Sequence, residues 1–71
     1  MSWDASKVKP GDYVTVPAEG GGRVRVKVEQ VNARGGRVLT VRVSGGDRPV
    51  APAYRQHGSI PLVPVGQLRR G

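Results

Sequence analysis

The groups in this 71-residue chain that could do covalent chemistry are few: one histidine, His57, and five carboxylates, Asp4, Asp12, Glu19, Glu29 and Asp47. Their spacing sets up no pair whose surroundings would push two proton affinities apart, as general acid and base work requires. His57 stands between Gln56 and Gly58 with no second ligand at metal-binding distance, so it reads as a solvent-facing loop histidine. With no cysteine there is no thiolate nucleophile, no cysteine-rich zinc site and no iron–sulfur cluster. Gly20-Gly21-Gly22 is followed by neither Lys-Ser/Thr nor a helix, so it reads as slack loop and not as a phosphate cradle. The expectation is a binding protein, not an enzyme, with no catalytic residue, metal or cofactor.

The chain concentrates positive charge instead: twelve Lys plus Arg against five Asp plus Glu, a formal net charge of +7. Arg23-Val24-Arg25-Val26-Lys27-Val28 alternates strictly, three valines to one side and three cations to the other, a period that only a half-buried strand satisfies. An acidic polymer is the natural partner of such a surface. The same bias to Arg, Val, Ala and Gly is also what a GC-rich coding sequence produces, and a cationic face also resists edge-to-edge aggregation.

The elements that position these cations follow from composition. Thirteen Val, three Leu, one Ile and no Phe favour a pleated sheet, and eleven Gly with six Pro interrupt the chain too often for an ordinary helix. Val8-Lys9-Pro10-Gly11-Asp12 forms a turn into a first strand, Tyr13-Val14-Thr15-Val16, with Val14 and Val16 inward and Pro17 ending the pairing. The second strand begins at Arg23. Its period slips between Val28 and Val31, which places a β-bulge near Glu29-Gln30. Gly35-Gly36 supplies the turn of a long central hairpin. The returning strand, Arg37 to Val43, is expected to point Leu39, Val41 and Val43 inward and Val38, Thr40 and Arg42 outward. Val50 to His57 reads as an irregular connection, Ser59 to Val63 as an edge strand, and Pro64 to Leu68 as one 3₁₀ turn whose Val65 and Leu68 plug the core. Residues 1–7 and 69–71 are expected to be flexible, and Trp3 to fold back over the open end of the core.

Together these segments resemble the SH3-like barrel. Val8-Lys9-Pro10-Gly11-Asp12-Tyr13-Val14 is similar to the start of KOW and Tudor-like small barrels. Gly11-Asp12-Tyr13-Val14, Gly58-Ser59-Ile60 and Pro64-Val65-Gly66-Gln67-Leu68 also resemble the barrel of plasmid-encoded type II dihydrofolate reductase. That family continues its last strand with hydrophobic-Gln-Ile-Tyr, where this chain has Ile60-Pro61-Leu62-Val63. It also carries a lysine soon after Gly-Asp, where this chain has Val16 and Pro17. The resemblance therefore implies a fold and not the reductase reaction: one all-β domain over residues 1–71, a small five-stranded SH3-like barrel.

On that frame Arg23, Arg25, Lys27 and Arg42 project from the outer face of the hairpin, with Arg34 and Arg37 at its turn and Glu29 the one acid among them. Tyr13 on the first strand and Tyr54 beside Arg55 are candidate stacking platforms, with Arg69 and Arg70 as outlying cations. The expected ligand is nucleic acid, DNA or RNA, bound through its backbone with little sequence selectivity. The alternative is a protein-interaction module or homo-oligomer, which an apolar patch of Tyr13, Val38, Leu62 and Val63 would favour. The N-terminal residues carry an early acid and no apolar run, so neither a secretory signal nor a membrane partner is expected, and the cytoplasm is the expected compartment.

Overall fold

The computed structural model describes residues 3–55 and 60–71. His57, Gly58 and Ser59, which carry the loop-histidine reading and part of the family resemblance, lie outside the described residues. Five strands, β1 (Tyr13–Pro17), β2 (Arg23–Arg34), β3 (Arg37–Ser44), β4 (Leu62–Pro64) and β5 (Arg69–Arg70), form one antiparallel sheet in the order β4-β3-β2-β1-β5. Among the described residues no helix is long and apolar enough to cross a membrane.

Alternation along β1 and β2 builds the core. Val14 and Val16 pair with Val26 and Val24, and these four with Val28, Val41, Val43 and Val63 are at most 3% exposed. Among the described residues the buried core is eleven valines with Ala18 and Leu68, and it holds no aromatic ring. β-branched side chains suit this surface because their restricted χ1 costs little more on a pleat.

The β1–β2 ladder continues into the preceding turn, where Gly11 N–H donates to Val28 O and Val28 N–H to Asp12 O, both 2.8 Å. Two irregularities then bend the β2–β3 hairpin. Val28 pairs with Val43 and Gln30 with Arg42, so Glu29 is an extra residue on β2, at the position where the valine period slips. Asn32 pairs with Thr40 and Ala33 with Val38, so Leu39 is an extra residue on β3. This second bulge corrects the expected facing of β3: Val38 is 7% exposed and Leu39 50%. The reason lies in the pairing, since one added residue turns every side chain beyond it to the opposite face. Gly35 and Gly36 close the hairpin at φ +62° and +76°, the two left-handed positions of a tight two-residue turn.

Beyond Ser44 the chain leaves β3 and runs beside β2. Gly46 sits so close that a Cβ there would come within 2.9 Å of Val24 Cγ2 and 3.0 Å of Arg25 O. The segment then returns to the end of β1 through an Ala18–Val50 bridge and Ala51 N–H to Pro17 O at 3.0 Å, burying Val50. Arg48 donates to the carbonyls of Glu19 and Gly21, so the triple-glycine loop is held by a side chain and is not slack. A 3₁₀ turn over Pro52–Tyr54 follows.

β4 and β5 are the two edges of the sheet, and one 3₁₀ turn, Val65–Gln67, joins them. Leu68 after that turn is buried and Val65 half-buried against the core. Regular structure reaches into both termini. Arg69 and Arg70 pair with Thr15 and Val14, and Ala5–Lys7 forms a 3₁₀ turn packed against β3 and the 65–67 turn. Asp4 caps that N-terminal turn, accepting from Ser6 N–H at 3.0 Å and Ser6 Oγ at 2.7 Å. The Ser6 hydroxyl, then its amide, holds the Asp4 carboxyl below its ordinary range.

Candidate nucleic-acid interface

Residues paired directly across an antiparallel ladder share a face, so the register fixes the solvent-facing surface. On it Thr15 lies between Arg69 of β5 and Arg25 of β2, and Lys27 lies between Tyr13 of β1 and Ser44 of β3. Two strand spacings separate Arg69 from Arg25, or about 10 Å of backbone. The Arg25 guanidinium sits over the Tyr13 ring at 4.2 Å from its centroid, an arrangement that orders the cation and leaves Tyr13 49% exposed.

Tyr13, Arg25, Lys27 and Ser44 line an open cleft of about 430 Å³ together with the Gly45 to Asp47 segment. Ser44 Oγ–H is held by the Glu29 carboxylate, which the bulge brings back to this face. Arg42 lies farther along the same face, opposite Gln30, with its guanidinium 3.4 Å from Ile60 O.

The remaining expected site residues separate from this group. Arg23 is half-buried and donates to Thr15 Oγ1 at 3.2 Å, Thr15 O at 2.7 Å and Gln67 O, so it staples β1, β2 and the 65–67 turn together. Desolvation, then the nearby Arg69 charge, lowers its pKa from the ordinary arginine value. Its Nε and Nη2 donors are thus engaged within the fold. Arg34 and Arg37 face each other at the hairpin end, about 20 Å along β2 from Lys27.

Tyr54 is half-buried and packed against the core. Arg55 is paired with Glu19 at 3.2 Å, the one salt bridge among the described residues. Both belong to the segment strapped to the end of β1, away from the Arg25 row, because Val50 anchors that segment inward.

Two residues gain a place that local sequence did not suggest. Arg69 joins the cationic face through its pairing with Thr15, although two strand residues are too short to show a period. Trp3 does not close the core. It is 37% exposed in an open groove of about 530 Å³ with Val65, Leu68, Arg69 and Arg70. The apolar patch that would favour a protein partner does not form: Val38 and Val63 are buried, and Tyr13 and Leu62 lie on strands with two others between them. Among the described residues no group of three or more His, Asp or Glu could hold a metal ion. No protein-family model matches the chain, and no curated protein and no solved structure matches it.

Proposed function

We propose that this domain is a non-catalytic SH3-like barrel that binds the sugar-phosphate backbone of nucleic acid through the face carrying Arg25, Lys27, Arg42 and Arg69. The barrel reading is supported by the two bulges that bend the long hairpin and by the single 3₁₀ turn that carries the chain from one sheet edge to the other. The ligand reading rests on one observation above all: the register sets Arg69 of β5 and Arg25 and Lys27 of β2 on one face, on either side of β1, with no salt bridge to a carboxylate among the described residues.

Cations gathered this way repel one another, and phosphates at regular intervals relieve that repulsion while releasing their own counterions. Arg25 contributes a planar fork ordered by the Tyr13 ring, and Lys27 a mobile point charge. Few side chains here present a donor and acceptor pattern to base edges, so selectivity for sequence is expected to be low. Titration of a fluorescent 20-base-pair duplex by anisotropy at 50 and 200 mM salt tests the reading. Binding that weakens steeply with salt is expected; no binding at 50 mM removes the proposal.

A further inference from the structure

The cationic face does not stop at β1. Arg69 belongs both to the row with Thr15 and Arg25 and to the groove that holds Trp3. Arg70 follows it opposite Val14, and Gly71 lies so close to β1 that a Cβ there would come within 2.7 Å of Tyr13 C and O. The end of β5 thus runs directly against Tyr13. Arg70, paired with the inward Val14, turns to the opposite face, so Arg69 is the cation common to two aromatic sites: the groove it lines with the exposed Trp3, and the outer face it shares with the exposed Tyr13.

A duplex offers phosphates to such a surface but hides its base faces. A single strand offers both, because unstacked bases can lie on aromatic rings while the backbone follows the cations. Trp3 at 37% and Tyr13 at 49% exposure are both available for this, and Arg25 on Tyr13 extends that platform with a second planar group. The nearby acids differ in engagement. Asp4 is occupied by Ser6, and Asp12 accepts the Lys9 amide at 3.1 Å. Asp47 lines the same cleft as Tyr13 and offers an acceptor to an exocyclic amine of a stacked base.

We infer that the preferred ligand is single-stranded nucleic acid, with one base stacked on Trp3, another on Tyr13, and an intervening phosphate on Arg69. This rests on the backbone-binding reading above and adds to it the requirement for bases.

The test compares three fluorescent ligands at 50 mM salt: a 12-nucleotide single strand, a strand of the same length made of abasic sugar-phosphate units, and a 12-base-pair duplex. The single strand is expected to bind about tenfold or more tightly than the abasic strand, the scale of one or two stacked bases. It should also quench the fluorescence of Trp3, the only tryptophan in the chain. Trp3→Leu and Tyr13→Leu should each weaken the base-bearing strand about tenfold; Trp3→Leu should leave the abasic strand unchanged, while Trp3→Phe keeps most of the affinity. Equal binding of normal and abasic strands, or a Trp3→Leu variant with unaltered affinity, overturns the inference and leaves the backbone reading in place. If none of the three ligands binds, the backbone reading fails and this inference fails with it.

Discussion

Removing two charges from the Arg25 row should change how binding responds to salt, and by an amount that the structure sets in advance. Four cations, Arg25, Lys27, Arg42 and Arg69, occupy the face without a carboxylate partner in salt-bridge range. Each phosphate neutralised on duplex DNA contributes about 0.9 to the slope of log affinity against log salt, so four give about 3.6. Raising salt fourfold, from 50 to 200 mM, should then weaken the native protein about 150-fold. With Arg25→Gln and Lys27→Gln together the slope should fall to about 1.8, and the same change of salt should cost about 12-fold. Anisotropy with a labelled 20-base-pair duplex reads both slopes, and thermal melting checks that the doubly substituted chain folds. Arg55→Glu provides the control: it lowers net charge by the same two units but acts in the exposed Glu19 pair, away from the row. A slope unchanged by Arg25→Gln with Lys27→Gln, or lowered equally by Arg55→Glu, would mean that overall charge and not this face holds the polymer, and the assignment of the site would be wrong.

Three further predictions concern the frame that presents the site. Arg23→Met should lower stability by about 2 kcal/mol, near 10 °C in Tm, because it removes the donors that hold Thr15 and Gln67; a melting temperature within 2 °C of native would show that the staple contributes nothing. Val38→Ser should cost about 2–3 kcal/mol by placing a hydroxyl in the core, and Leu39→Ser less than about 0.5 kcal/mol, as urea denaturation will read; the reverse ranking would move the second bulge. Gly46→Ala should destabilise by about 2–3 kcal/mol, since φ +87° is strained for alanine and its Cβ would meet Val24 and the Arg25 carbonyl. Gly66→Ala, with open space around it, should be neutral in the same melting experiment.

Strand content, the inward valines of β1 and β2, the bulge at Glu29 and the Gly35-Gly36 turn were all legible in the chain because each is a local property. A strand's alternation and a turn's need for positive φ are set by neighbours within a few residues. The run from Arg23 to Val28 therefore announces both a core face and a cationic face. Which of its cations remain available is not a local property. Arg23 and Arg25 occupy equivalent positions in that run, yet one is consumed by Thr15 and Gln67 and the other rests on Tyr13. That difference depends on the 65–67 turn, more than forty residues away, arriving beside Arg23.

Leu39 and Val38 exchanged faces for a similar reason. Four apolar or half-apolar residues in a row, Val38 to Val41, satisfy either facing, and the partner strand's register decides between them. Arg69 and Arg70 read as a frayed end, and Trp3 as a cover for the core, because two or three residues hold too little pattern to read; pairing with β1 and packing beside the 65–67 turn gave them their places. The sequence by itself therefore determined a small valine-cored sheet with a charged outer side. Tertiary structure alone decided which charges hold the fold together and which stand free, because that choice belongs to contacts between segments distant along the chain.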